Sequence, residues 1–406
     1  MGTSTTSKTP SPQNPPDSEP SNPPRTPLSL QQATIILTRH KLATPCIKIY
    51  HHSLVFNTRN TTYTLTSSDG GDYVIRFSES WETKTENEVA AISYIAKNTS
   101  LPVPKVVGFC TDVTNSPTGY EYILMEKLNG VCLGDIFRDL SLPRKKSVVE
   151  SVVHILKVFQ SLKFDKAGSF YFNKSENNNP ELGPLLGTPK SRPQCNYLDY
   201  LSDLITSELE NLLKSKFLMD GEGADLVHRV RNFRDKVCNL ETTPISEIAQ
   251  NVEFVFCHVD LHTFNLLVDE ETLKITGIID FEFSGSFPID QEWYKVFSAV
   301  RVNNKASHFF RDGLRTMSDS DTLQECQSEE ELNIIRNHFF QECKNQGVQT
   351  PRDIPGHNER AVLNYFVKYI CPWWIADEIT PLPDKWKRDR DSARERLKVV
   401  LDMYDA

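Results

Sequence analysis

Between residues 256 and 280 the chain sets a few polar side chains into an otherwise apolar stretch, and few architectures accommodate that. Phe256-Cys257 leads into His258-Val259-Asp260-Leu261-His262-Thr263-Phe264-Asn265; the runs Leu266-Leu267-Val268 and Ile275-Thr276-Gly277-Ile278-Ile279 are again strand-like, and the second ends on Asp280. Two carboxylates in such surroundings are costly to bury unless something cationic compensates them. A bound metal is the economical explanation. Phosphoryl transfer uses this set of groups: a carboxylate near the acceptor hydroxyl, and oxygen ligands that hold Mg²⁺ on the phosphates of ATP. Asp260 fits the first role, while Asn265 and Asp280 fit the second. Because Mg²⁺ keeps several waters and takes only one or two carboxylates, so sparse a ligand set suffices. A chance match to His-x-Asp-x-x-x-x-Asn has a frequency of about 5% in a chain this long. The force of the reading therefore comes from Asp280 at the end of the next apolar run and from the pattern upstream.

His258 and His262 are four residues apart and invite a zinc reading. Zinc would want both on one helix face with a third ligand, whereas β-type runs flank this loop. His258 is expected instead to hydrogen-bond the backbone and hold the loop in shape, with His262 a polar wall of the site.

Residues 1–28 are rich in Pro, Ser and Thr with few apolar anchors, and are expected to form a disordered tail. Short β-type runs follow at Ile47–Tyr50, Thr61–Leu65 and Tyr73–Phe77, the last two joined by a turn at Ser68-Asp69-Gly70-Gly71-Asp72. Helical periodicity begins at Glu86, with Val89, Ile92, Tyr94 and Ile95 on its apolar side, and Pro102 and Pro104 close the element. Lys105–Phe109 and Tyr120–Met125 are two more strand candidates. After Gly130 the chain turns to long helices, notably Ser147–Leu162 and Tyr197–Leu213, whose apolar stripes signal core packing. Residues 174–196 read as a loop rich in Asn, Pro and Gly. Past residue 300 the chain looks helical again, with an aromatic-rich stretch from Tyr365 to Trp374. A strand-rich first third with one conspicuous helix, followed by helices interrupted by two short strands, predicts an α+β fold in two lobes. The expected division is a tail over 1–28, a small β-rich N-lobe over 29–127 that binds nucleotide, and a larger helical C-lobe over 128–406.

No run of about 18 uncharged apolar residues is present, and the N-terminus lacks an apolar signal core, so a soluble cytoplasmic protein without membrane association is expected. The nine cysteines are scattered and never spaced as C-x-x-C, which speaks for reduced thiols over a disulfide framework or zinc knuckle. A formal charge of −9 argues against a phosphate-neutralising surface for nucleic acid. Nothing in the sequence points to an obligate protein partner.

On these residues the chain resembles the aminoglycoside phosphotransferase and choline-kinase-like family, whose mark is the His-x-Asp-x-x-x-x-Asn loop followed by an Ile-Ile-Asp strand. The likeness covers roughly residues 45 to 300. It is similar above all to the fungal members, through Thr99-Ser100-Leu101-Pro102-Val103-Pro104, Tyr122-Ile123-Leu124-Met125-Glu126 and Gly168-Ser169-Phe170-Tyr171. The resemblance implies a protein-kinase-like fold, ATP between the lobes, Asp260 as catalytic base, and Asn265 and Asp280 on Mg²⁺. It implies that Leu124–Lys127, with Met125, Glu126 and Lys127, is the hinge that touches adenine. It implies too that Arg76 of Tyr-Val-Ile-Arg stands where a basic residue contacts the phosphates and pairs with a helix glutamate. Glu88 is the preferred partner, with Glu86 the alternative. Arg keeps the charge but is not geometrically equivalent to the Lys common elsewhere. The phosphate-covering turn, Phe56 to Tyr63, has no glycine here. Thr58 and Asn60 are its small polar residues, and backbone N–H groups in such a turn can still cradle phosphate.

These expectations describe an ATP- and Mg²⁺-dependent kinase acting on a hydroxyl of a small molecule. A protein kinase fits less well, since neither Asp-Phe-Gly nor Ala-Pro-Glu follows; Asp280-Phe281-Glu282 occupies that place. From another class, a catalytically inactive nucleotide-binding or scaffold module would account for the missing glycine. Family membership does not choose the acceptor, which is an antibiotic, choline, a sugar or another metabolite. The acidic residues Glu208, Glu210, Glu222 and Asp225 suit either a cationic acceptor or a solvated helix face.

Overall fold

A computed structural model describes residues 27–42, 44–52, 60–78, 84–173, 179–188, 192–238, 244–294, 326–372 and 384–404. The chain opens with helix α1 (Leu30–Arg39), which the sequence reading did not anticipate; Ser29 caps it, exchanging hydrogen bonds with Gln32 in a capping box. Leu28 is buried beside α1, and residues 1–26 of the expected tail lie outside the described residues.

Five antiparallel strands form the first sheet: β1 (Cys46–His52), β2 (Asn60–Ser67), β3 (Asp72–Ser78), β4 (Val106–Cys110) and β5 (Glu121–Glu126), in the order β1-β2-β3-β5-β4. Alternation along β3 and β5 sorts their side chains onto two faces. Leu65, Ile75, Phe77, Tyr122 and Leu124 point one way and pack with Ala33, Ile36 and Leu37 of α1. Ile123 and Met125 belong to the other face, which joins the larger core through Val89, Ile92 and Ile95 of α2 (Lys84–Asn98). Arg76 lies between Ile75 and Phe77 and opposite Ile123 in the register, so the same alternation turns it toward α2.

Beyond β5 the chain passes Gly130, whose φ of +117° no other residue adopts easily; a Cβ there would meet Thr276 Oγ1 at 2.5 Å and Val268 O at 2.6 Å. The remainder is mainly helical. Its principal helices are α4 (Leu142–Ser161), α5 (Tyr197–Lys214) and α7 (Gly223–Cys238), with α3 (Leu133–Ile136), α6 (Lys216–Met219) and α8 (Pro244–Ala249) as short connectors. Later come α9 (Glu329–Gln346), α10 (His357–Ile370) and α11 (Asp384–Met403). The aromatic stretch begun at Tyr365 lies in and after α10, with Trp373 and Trp374 outside the described residues.

More strand is present here than the expected two segments. A second sheet runs β7-β10-β13-β8-β9, from β7 (Lys163–Phe164), β8 (Gly168–Asn173), β9 (Asn179–Gly183), β10 (Phe254–Cys257) and β13 (Gly285–Pro288). A third joins β6 (Val131–Cys132), β11 (Leu266–Val268) and β12 (Ile275–Ile278). β9 falls inside the region read as loop: its Asn-Pro-Glu-Leu-Gly sequence carries no strand signal, and it exists because β8 pairs with it from Ser169↔Gly183 to Asn173↔Asn179.

A buried charge cluster ties the helical part together. Asp290 accepts from His357 Nδ1 at 2.8 Å, from Arg360 Nε at 2.5 Å and from its NH2 at 3.1 Å. Arg360 also donates to the carbonyls of Ile248 and Pro355. Burial pushes the Asp290 carboxyl up, but the hydrogen bonds and charges of His357 and Arg360 outweigh it and hold the group below the usual carboxylate range. Asp290→Ala strands the arginine without its counter-ion, and we expect a loss of about 3–5 kcal/mol in denaturant-unfolding stability. A loss below about 1 kcal/mol would show that the cluster is not a fixed point of this packing.

Candidate active site

The loop between β10 and β11 is held by buried contacts from several directions. His258 Nδ1 accepts the N–H of Asp260 at 3.3 Å, and Nε2 donates to the carbonyl of Ile279 at 3.0 Å. This is the neutral tautomer, and burial lowers the imidazole pKa and keeps it uncharged. The Phe281 ring, fully buried, packs 4.7 Å from the His258 ring. One histidine thus joins the backbone just before Asp280 to the backbone of Asp260. Both ring nitrogens are spent on main chain, as expected for a positioning group and not for a zinc ligand.

Asn265 ends a single 3-10 turn, Thr263–Asn265, capped by His262, whose Nδ1 accepts from Phe264 N–H at 3.2 Å. The amide of Asn265 donates to Asp260 O at 2.9 Å and lies 3.4 Å from His262 Nε2, so its protons are used within the loop and its Oδ1 is the atom suited to a cation. Ile279 N–H donates to Asn265 O at 3.0 Å, which sets Asp280 next to Asn265. His262 Nε2 stands 3.6 Å from Asp260 Oδ2. Val259 and Asp280 adopt φ of +71° and +69°. Such backbone costs roughly 1–3 kcal/mol per residue and persists only when its surroundings enforce it.

Part of that enforcement comes from Glu292, which sequence reasoning missed. Its Oε2 accepts the N–H of His258 at 2.6 Å and of Val259 at 3.1 Å, anchoring the chain where it enters the strained residue. Glu292 is buried, and burial pushes its pKa up to about 7 against the lowering effect of the two N–H donors. No signal near the loop announces it: it lies 34 residues from His258, in a 3-10 segment, Ile289–Tyr294, without periodicity.

The expected ion pair forms across the other side. Arg76 of β3 meets Glu88 of α2, both buried, and its NH1 lies 2.5 Å from Asp280 Oδ1. The alternative, Glu86, instead accepts the N–H of Phe172 at 3.3 Å. Glu282 Oε2 is 3.6 Å from Arg76 and 2.7 Å from both Lys84 Nζ and Asn60 Nδ2, and neither Glu282 nor Lys84 was singled out from sequence. Asn60 also faces Ser78 and Lys84 through Oδ1, so its side chain is occupied by protein groups. Thr58 lies outside the described residues. At the end of β5 the Met125 side chain is buried in the core, whereas those of Glu126 and Lys127 are exposed, Glu126 pairing with Lys105 at 2.6 Å. The N–H groups of Glu126 and Lys127 go to Lys105 O and Asp72 O, each at 3.0 Å, and any purine contact there falls to the remaining main chain.

The donor set can be judged against a divalent cation. An amide oxygen and a carboxylate are hard oxygen donors of the kind Mg²⁺ takes, and neither thiol nor imidazole is needed. A β-sheet carrying a buried Arg–Glu pair, joined to a helical part that presents a His-Asp-Asn loop and a strand-end aspartate, defines a protein-kinase-like α+β phosphotransferase fold. The chain belongs to the family described as the Phosphotransferase enzyme family (APH), whose model matches residues 56–315.

Among curated proteins it is 25% identical over 300 residues to "Altered inheritance of mitochondria protein 9, mitochondrial" of Debaryomyces hansenii, covering 59% of this chain and 47% of that one. It is 26% identical over 252 residues to "Clavilactone A biosynthesis cluster protein Y" of Ampulloclitocybe clavipes, covering 56% and 59%. The chain thus spans about half the length of these relatives. Solved structures that it resembles include the GDP complex of aminoglycoside 2'-phosphotransferase-IIIa, at 13% identity and a TM-score of 0.45 over 91% of this chain and 98% of that one. Another is macrolide 2'-phosphotransferase MphH of Brachybacterium faecium, at 11% identity and a TM-score of 0.44 over 90% and 98%.

The raised pKa of Glu292 carries a sign. A carboxyl whose pKa is about 7 when folded and 4.5 when unfolded favours folding below the lower value and loses that contribution as pH rises through 7. We therefore expect the thermal midpoint of the wild type to fall, relative to Glu292→Gln, between pH 5.5 and pH 8. Parallel curves across that range would remove Glu292 from the titrating groups.

Proposed function

We propose that the protein transfers the γ-phosphoryl group of ATP to a hydroxyl of a small molecule. The observation that carries the reading is the convergence of Arg76, Glu88 and Asp280, from three separate segments, beside the loop that bears Asp260 and Asn265. In this reading the Asp260 carboxylate takes or orients the acceptor's hydroxyl proton, a contribution of about 10²–10⁴ in rate. Arg76, fixed by Glu88, offers its guanidinium to the α- and β-phosphates. His258 and Glu292 hold the backbone that carries Asp260, so the base needs no reorganisation when the acceptor arrives. Mg²⁺, held by Asn265 Oδ1 and Asp280, would supply charge neutralisation on the phosphates. Residues 29–127 form the nucleotide-binding lobe in this proposal, and 128–406 the catalytic and acceptor-binding one.

For the acceptor, Glu222 is a poor candidate because it pairs with Lys398 at 2.7 Å. Burial pushes Glu208 up to about 7, which removes much of its charge near neutrality. No described helix is long and apolar enough to cross a membrane. We place the protein in the cytoplasm as part of the same proposal; the free thiols at Cys46, Cys257 and Cys343 support a reducing compartment, and a mitochondrial signal on cell fractionation would overturn the cytoplasmic placement.

The second reading, a nucleotide-binding or scaffold module without turnover, is favoured by one contact: Arg76 sits directly on Asp280, where phosphotransfer would want that carboxylate on a cation of the nucleotide. Purified protein with Mg·ATP, screened against metabolites and antibiotics for acceptors that gain one phosphoryl mass, separates the two. We expect turnover in the wild type, a loss of about 10²–10⁴ in Asp260→Asn, and no Mg·ATP thermal stabilisation in Asp280→Ala. Equal melting points with and without Mg·ATP, and no turnover in any variant, would leave the scaffold reading standing.

A further inference from the structure

We propose that Lys84 is a second phosphate-directed cation of the nucleotide site, and that Glu282 is the counter-ion which a nucleotide has to displace from it. The inference rests on the nucleotide-binding reading above and adds to it two residues that reading did not require.

The cluster beside Asp280 contains more cation than the Arg–Glu pair alone provides. Lys84 opens α2, four residues before Glu88, so the two side chains share one helix face and reach the same space. Lys84 is buried, and so are Arg76, Glu88 and Glu282. A lysine seldom gives up its hydration in this way without a partner for its charge. Its partner is Glu282, at 2.7 Å, with Asn60 Oδ1 at 3.4 Å and the Phe283 ring centroid 5.6 Å away. An ammonium has three donors, and these oxygens use two of them.

Arg76 meanwhile is ion-paired with two carboxylates, Glu88 and Asp280, although its Nε finds no acceptor among the described residues. Arg76 is thus held between two carboxylates, whereas Lys84 has its ion pair with Glu282, so displacing one carboxylate frees the lysine for a phosphate. Glu282 is bound through one oxygen by Lys84 and Asn60 together. A phosphate oxygen offers the same geometry of acceptor with more charge, and it can take over those two donors one for one. Glu282 holds the donors in place until then, which keeps Lys84 buried and aimed but lowers the net affinity by the cost of the exchange.

The test is displacement of trinitrophenyl-ATP from the full chain, in Mg²⁺ buffer, by ATP, ADP and adenosine. Lys84→Met is expected to weaken ATP and ADP by about tenfold or more, the worth of a charged hydrogen bond, while adenosine is unaffected. Lys84→Arg is expected to recover most of the loss. Glu282→Gln keeps the shape but removes the competing charge, and is expected to tighten ATP relative to wild type. Wild-type ATP affinity in Lys84→Met, or an equal loss for adenosine, overturns the assignment, as does weaker ATP binding in Glu282→Gln. Should Lys84→Met not fold, Lys84→Arg and Glu282→Gln decide the matter through the same ATP-to-adenosine ratio. A wild type that binds none of the three ligands overturns the nucleotide reading itself and this inference with it.

Discussion

A guanidinium buried on the face of a β-sheet has to be met by carboxylates, and at Arg76 the partners come from elements far apart in sequence. β3 supplies the cation, α2 supplies Glu88, and the segment after β12 supplies Asp280 and Glu282. Buried pairs of this kind contribute little net stability, because desolvation offsets the attraction; what they do is penalise every arrangement in which a partner is missing. The relative placement of the sheet, the helix and the end of β12 is therefore chosen by charge, while the apolar contacts of Ile123, Met125, Val89 and Ile92 supply the cohesion. Shifting β3 by one residue would turn Arg76 toward α1 and leave Glu88 facing apolar groups, so the register and the site are the same constraint.

The loop that carries Asp260 depends on a different kind of support. Its backbone is strained at Val259, and the compensation is local: Glu292 takes the successive N–H groups of His258 and Val259, His258 bridges to Ile279, and Ser284 Oγ donates to His258 O at 3.4 Å. Burying Glu292 is itself unfavourable, as its pKa of about 7 records. The protein thus accepts two costs, a strained β-branched residue and a desolvated carboxylate, that make sense only together. Neither would survive as an isolated feature of a core, and their pairing at the base of the Asp260 loop is what a preorganised site requires.

What could be read in the sequence follows from what repeats along it. β3 and β5 alternate, α4 and α5 carry an apolar stripe, and His258, Asp260, Asn265 and Asp280 sit at intervals between apolar runs, so these were legible. Glu88 was legible as one of two glutamates on a helix, and only β3's register, which aims Arg76 at the helix face of Glu88, separates it from Glu86. β9 and Glu292 were not legible, because neither carries a local signal: β9 takes its strand character from pairing with the neighbouring β8, and Glu292 its role from the N–H groups of His258 and Val259, 34 and 33 residues away. Lys84 reads as an ordinary polar start to a helix until Glu282, 198 residues on, is seen beside it. Helix α1 does carry a local signal, a Ser-x-x-Gln capping box before Ala33, Ile36 and Leu37, but it adjoins a Pro-rich segment whose composition masks it.

Charge also bears on how such a site would fill. Arg76 and Lys84 face Glu88, Asp280 and Glu282, an excess of one carboxylate in a region largely withdrawn from water. A bare nucleoside triphosphate approaching that excess meets repulsion that solvent screens weakly. A divalent cation held beside Asp280 would invert that balance and leave the surroundings of Arg76 and Lys84 net cationic. Under the proposed function, that surplus would favour a nucleotide already carrying its metal over one without it. A site with Lys in place of Glu282 would bind phosphate more tightly and discriminate less, which explains why a carboxylate can be useful at a position where affinity alone would exclude it.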